Sequence, residues 1–146
     1  MLDTLARPNT ATRPTAVSPN SGLQSYGLIA LDARVAGASP HQLVAMLYQR
    51  LESLLRDAHE AARFGNSARR LRATERALTI VEGLDTTLDT ARGGDVAAAL
   101  HDVYGLLRNR LLDGRADGLG EALASVGEIR AAWVEMAAQL RGAPAN

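Results

Sequence analysis

Three histidines, His41, His59 and His101, are the only imidazoles this chain offers for acid–base or metal chemistry. A metal site would need several such ligands converging, as in H-E-x-x-H or in a Glu-x-x-His repeated on two helices. Neither pattern occurs; His41 falls in a helix first turn, and His59 and His101 fall on different predicted helices. Solvated or locally hydrogen-bonded histidines are therefore expected. Asp85 and Asp89 form an i,i+4 carboxylate pair, a spacing that could hold a cation or divide acid and base roles. They sit beside Leu84 and Leu88 at the polar edge of an apolar stripe. A solvated helix face is expected there, with Arg92 as the local partner near the unfavourable end of the helix dipole. Gly93-Gly94-Asp95 superficially resembles a phosphate loop, but the G-x-x-x-x-G-K-S/T spacing and a preceding strand are missing. Arg69, Arg70, Arg72 and Arg76 crowd one helix start. Such a cluster could attract anions, yet acidic neighbours and a neutral chain favour an ordinary solvated face. No catalytic residue, metal ligand or cofactor is expected.

The elements that would position these groups read as helices. Ser39-Pro40-His41-Gln42 is a helix start, with a capping Ser39, Pro40 at the first helical position and Gln42 closing an S-x-x-Q capping box. Val44, Leu47, Leu51, Leu54, Ala58 and Ala61 then recur at steps of three and four, and Met46, Tyr48 and Leu55 widen the stripe. Gly65-Asn66 ends it. A second helix, from about Ser67 to Thr90, carries Leu71, Ala77, Leu78, Val81, Leu84 and Leu88 inward and is broken by Gly93-Gly94. Asp95 is the expected cap of a third, with Val96, Leu100, Val103, Tyr104, Leu107 and Leu111 on one face. After a break at Gly114 to Gly118, Asp117 is the expected cap of a fourth, with Ala122, Val126, Ile129, Trp133, Met136 and Leu140 inward. Gly142 and Pro144 stop it. No alternating β-branched run suggests a strand. Similar helix lengths and short connections predict an all-α, antiparallel four-helix bundle over residues 38–142.

Ahead of the bundle lie two further segments. Residues 1–22 are rich in Thr, Pro, Asn and Ser, with Pro8, Pro14 and Pro19 at short intervals, and read as a disordered tail. Residues 23–37 hold Tyr26, Leu28, Ile29, Leu31 and Val35, a short apolar helical segment ended by Gly37. It is too short to stand alone and is expected to dock.

Composition narrows the function classes. Lys plus Arg and Asp plus Glu both number 16, giving zero formal net charge, whereas a nucleic-acid binder normally carries a basic excess. Cysteine is absent, which removes disulfides, thiol catalysis and cysteine-ligated metals. No apolar run approaches the roughly 20 residues of a membrane span. The N-terminus lacks the charged and apolar regions of a signal peptide. The expected compartment is the cytoplasm, without nucleic acid and without membrane insertion. What remains is a protein that holds another chain. Trp133 reads as core, and Tyr48 and Tyr104 are open between core and groove, since aromatics with a polar end also line protein-binding surfaces. A bundle complete without its N-terminal segment has a groove that can accept that segment or another. From the residues alone, a helical adaptor or secretion chaperone for any client stays open, as does a small bundle enzyme.

A series of motifs narrows this. Ala38-Ser39-Pro40-His41-Gln42-Leu43-Val44-Ala45-Met46-Leu47-Tyr48 resembles the A-S-P-H-Q-L-x-x-M-L-Y/F opening of the flagellar export chaperone FliS family. Ala77 to Val81 resembles the family's A-x-x-I-I stretch, and Leu84 to Val96 resembles L-x-x-x-L-D-x-x-x-G-G-E/D-I/V. Leu100 to Tyr104 with Arg108 to Leu111 resembles L-x-x-L-Y-x-Y-x-x-R-R-L, and Ile129 to Trp133 resembles the closing I-x-x-A-W. Tyr26 stands where an N-terminal family tyrosine is expected, so the resemblance runs from Tyr26 to about Leu140. Leu106 replaces the family's second aromatic. Asp113 to Asp117 replaces an A-N-x-x-x-D segment, with a connection about one helical turn shorter.

The resemblance implies a cytoplasmic chaperone, without catalysis, that binds the disordered C-terminal segment of flagellin. It would prevent premature polymerisation and assist delivery to the flagellar export apparatus, with an export-gate component as a further partner. It also implies client-binding candidates at matching positions, Met46, Tyr48, Leu100, Tyr104, Leu107 and Leu111. Tyr26, Leu28 and Ile29 are candidates for plugging the groove when no client is bound, or for exchange between two copies in a homodimer.

Overall fold

The computed structural model describes Gly37 and residues 39–142, apart from the side chains of Thr90, Leu140 and Arg141. The expected tail over 1–22, Tyr26, Leu28 and Ile29 of the docking segment, and the Leu140 side chain lie outside the described residues. Four helices follow in order: α1 (Pro40–Arg63), α2 (Ser67–Thr86), α3 (Thr90–Asp113) and α4 (Ala116–Gly142). They form an all-α, antiparallel four-helix bundle in which α1 packs most extensively on α2 and α4, and α3 leans on α2 and more lightly on α4.

Local chemistry sets the helix ends. The Ser39 hydroxyl accepts from the Gln42 N–H at 3.1 Å, and the Gln42 carboxamide accepts from the Ser39 N–H at 2.7 Å, closing the predicted capping box. Two otherwise orphaned amides are satisfied there. Ser39→Ala should cost about 1 kcal/mol of stability, seen as a lower urea midpoint with an unchanged slope. Asn66 caps α2 through the Arg69 N–H at 3.1 Å.

Two boundaries differ from expectation. α2 ends at Thr86, and Asp89 rather than Asp95 caps α3, accepting from the Arg92 N–H at 3.2 Å. Gly94 at φ 53 and ψ −128 is non-helical, so the expected break at Gly93-Gly94 is present, as a kink where the short turn that Asp89 caps meets the main run of α3. A glycine permits that turn at low cost because no Cβ meets the backbone. α4 begins at Ala116, so Asp117 lies in its first turn and Gly118 is already buried within the helix.

The core is one cluster. Leu47, Leu51, Leu54, Leu55 and Ala58 from α1 meet Ala73, Ala77, Ile80, Val81 and Leu84 from α2, with Tyr104, Leu107 and Leu111 from α3 and Leu119, Ala122 and Val126 from α4. Most predicted stripe positions are here, or half-buried against it, as for Val44, Leu78, Leu88, Leu100, Val103, Ile129 and Trp133. Leu71, Val96 and Met136 do not face inward; they are 53%, 69% and 44% exposed. Val96 follows the Gly94 kink, and it is the next residue, Ala97, that is buried there.

Candidate functional site

Beside the kinked start of α3 lies an apolar groove of about 390 Å³, within the range of ligand-binding clefts. Val44 and Tyr48 of α1, Leu84 of α2, Leu88 of the α2–α3 turn, Val96, Leu100 and Tyr104 of α3 and Trp133 of α4 form its walls. Asp89 and Arg92 stand at one end, with Arg92 Nε 3.5 Å from the Asp89 carboxylate. That is the local partnership expected for Asp89.

Each wall residue is held by its own element. Trp133 donates its indole N–H to the His41 carbonyl at 2.8 Å. The His41 ring stacks on it at 4.1 Å between centroids and 13° between planes, with Nε2 3.2 Å from the Trp133 carbonyl. Histidine thus locks the α1 start to α4, a bond across the bundle rather than the local one expected. Trp133 is half-buried at the groove wall rather than wholly in the core, and Tyr48 meets it edge-on at 6.1 Å. Tyr48 and Tyr104 are each 1% exposed, both line the groove, and their hydroxyls meet at 2.6 Å. Burial pushes both phenols up from their ordinary range, so both are neutral at physiological pH.

Of the six client-binding candidates, the groove gathers three: Tyr48, Leu100 and Tyr104. Leu107 and Leu111, each 2% exposed, belong to the core. Met46 is 38% exposed on another surface, beside Gln49, Arg50 and Ser53. Sequence reasoning did not single out Val44, Leu84, Leu88, Val96 or Trp133 as groove residues. Each was read as an inward stripe position, and only the packing of the helices turns them toward one groove.

Several other titratable groups serve the scaffold. His59 Nδ1 lies 2.8 Å from the Ala116 carbonyl, tying the end of α1 to the start of α4. Gly120 makes room for that ring, because a Cβ there would stand 3.1 Å from it. Asp85 does not pair with Asp89 on a solvated face; its carboxylate takes His101 Nδ1 at 2.7 Å and Arg108 Nη2 at 3.4 Å from α3. Arg108 Nε also donates to Glu82 at 2.9 Å. Arg69 reaches back to Asp57 through Nε at 2.7 Å and to Glu60, so that member of the arginine cluster is neutralised by acidic neighbours. Among the described residues no group of three or more His, Asp or Glu side chains is arranged to hold a metal ion, and no helix is long and apolar enough to cross a membrane.

The hydrogen bond to Asp85, and then its negative charge, raise the His101 pKa above its ordinary value. The raised folded-state value means that this pair stabilises fully below the unfolded pKa of about 6.5 and is lost as pH rises through the folded value. Asp85→Asn should therefore lower the melting temperature more at pH 5.5 than at pH 8.5. A residual gap at the higher pH should remain, because Arg108 stays charged. An equal gap at both pH values would contradict this linkage.

Comparison with known proteins places this geometry in a family. The family described as "Flagellar protein FliS" matches residues 22–140. The flagellar secretion chaperone FliS of Salmonella typhimurium is 30% identical over 121 residues, covering 80% of this chain and 90% of that protein. The flagellar secretion chaperone FliS of Vibrio cholerae is 28% identical over 115 residues, covering 76% and 85%. The flagellar secretion chaperone FliSB of Pseudomonas aeruginosa is 27% identical over 115 residues, covering 76% and 91%. The order of motifs, the four-helix bundle and these relatives agree: the chain belongs to the FliS family of flagellar secretion chaperones.

Proposed function

We propose that the groove receives the C-terminal segment of flagellin as an amphipathic stretch, keeping it from polymerising in the cytoplasm and presenting it for export. The observation that carries this reading is the apolar groove beside Trp133 and the Tyr48–Tyr104 pair. An amphipathic helix lays its apolar face into such a cleft, reading it through anchors one turn apart. Flagellin's terminal segment coils with its neighbours in the filament, so covering its apolar face opposes assembly. Ordering a disordered segment costs part of the interaction energy, which keeps the complex releasable without nucleotide hydrolysis. No catalytic step belongs to this activity. Leu107 and Leu111 support the groove from beneath, through the packing that positions Tyr104. Co-purification tests the reading: flagellin is expected as a stoichiometric partner, and a flagellin lacking its C-terminal segment should not be retained. Capture of both forms alike would overturn it.

Tyr26, Leu28 and Ile29 are proposed to occupy part of this groove in the absence of client, within one chain or by exchange between two copies. Deleting residues 1–36 should then tighten binding of a flagellin C-terminal peptide about tenfold, because a competing intramolecular occupant is removed. Unchanged or weaker affinity in calorimetric titration would contradict self-plugging. An export-gate component is the proposed recipient of the loaded complex.

A further inference from the structure

The groove wall is apolar except for a few polar groups, and nearly all of these already have partners. The Trp133 N–H is given to the His41 carbonyl at 2.8 Å, and the Thr87 hydroxyl to the Leu84 carbonyl at 2.8 Å. Arg92 and Asp89, 90% and 57% exposed, pair with each other at the rim. The Tyr48–Tyr104 contact is different. Two neutral phenols bring two protons to one contact, and either oxygen can be the donor in it. One proton makes the 2.6 Å bond. The other has no acceptor among the described residues, although both side chains are 1% exposed and both line the groove. A buried donor without a partner is costly, and an incoming group that accepts its proton recovers that cost.

We infer that the groove selects a segment with one neutral carboxamide, an asparagine or glutamine, in its otherwise apolar face, and that the Tyr48–Tyr104 hydroxyl pair receives it. This rests on the reading of the groove as the client site. The acceptor must be neutral: a carboxylate brought to the hydroxyl pair would lose its hydration against an apolar wall, and the cation that lines the groove, Arg92, is exposed and already paired with Asp89. Ammonium and guanidinium groups cannot accept a proton, and the backbone carbonyls of a helical client are already engaged within the helix. A carboxamide accepts the phenol proton through its oxygen and can return an N–H to a phenol oxygen.

The test is a calorimetric titration of the full chain with a synthetic flagellin C-terminal peptide in which each Asn and Gln is replaced in turn by Leu. One position is expected to lose about tenfold in affinity, the ordinary worth of a hydrogen bond recovered from a buried group. In the double variant Tyr48→Phe/Tyr104→Phe that sensitivity should fall below about twofold. Each single variant, Tyr48→Phe or Tyr104→Phe, should keep it, because one phenol and one free proton remain. Should the double variant lose its helical circular dichroism, the single variants and the peptide series on the unaltered chain decide the matter. A peptide that binds with no sensitive position overturns the inference alone, as does a sensitivity that survives in the folded double variant. A peptide that does not bind the unaltered chain overturns the client reading and this inference together.

Discussion

Leu100→Asp is expected to lower the affinity for the flagellin C-terminal peptide about 100-fold, or about 2.8 kcal/mol at roughly 1.4 kcal/mol per tenfold. Leu100 is half-buried and sits in the groove wall between Val96 and Tyr104. An amphipathic client would bury a carboxylate there without a cationic partner, and a desolvated unpaired charge in an interface centre is the costliest kind of change. The bundle itself should persist, because Leu100 flanks the core cluster and is not one of its fully buried members. Val96→Asp separates the two effects more cleanly. Val96 is 69% exposed and lines the same groove. It should lose about tenfold in affinity while melting within a few degrees of the unaltered chain. Equal affinity for all three proteins would place the client elsewhere. The measurement is titration calorimetry, with circular dichroism melts as the control.

Leu51→Ala should do the reverse. Leu51 is fully buried, and α1 is the helix that packs on both α2 and α4. Removing its side chain deletes apolar contact and leaves a cavity that such a core closes only partly, at a cost of about 2–5 kcal/mol. The urea midpoint should fall with an unchanged slope, and the melting temperature should drop by about 10 °C or more. The peptide affinity of the remaining folded protein should stay within about twofold, because Leu51 does not line the groove. A loss of binding without a loss of stability would show that α1 communicates with the groove through more than packing. Together the two substitutions distinguish apolar residues that hold the bundle from apolar residues turned toward a partner.

That distinction is where the sequence stops being sufficient. The number of helices, the start of α1 at Ser39-Pro40 and the inward stripe of Leu47, Leu51, Leu54 and Ala58 follow from local rules: capping, period and the entropy of fixing a chain. Those rules act over three or four residues, so they can be read along the chain. The motif series likewise points to the family, since it records residue identity and order. Which side of an apolar stripe meets another helix is decided by residues distant in sequence. Tyr104 and Leu107 lie on one predicted face, yet Tyr104 reaches the groove and Leu107 is confined to the core. Gly93-Gly94 reads as a helix boundary, and Gly94 does leave helical geometry at φ 53; what local pattern missed is the further short turn ahead of it that Asp89 caps. Asp85 and Asp89 read as one pair and serve two purposes, because His101 and Arg108 arrive beside Asp85 only once α3 is folded against α2. The same holds for His41 on Trp133, 92 residues away. The sequence by itself determined a helical bundle of this family; the groove, its walls and its buried hydroxyl pair exist only through contacts between helices, whose geometry no local pattern carries.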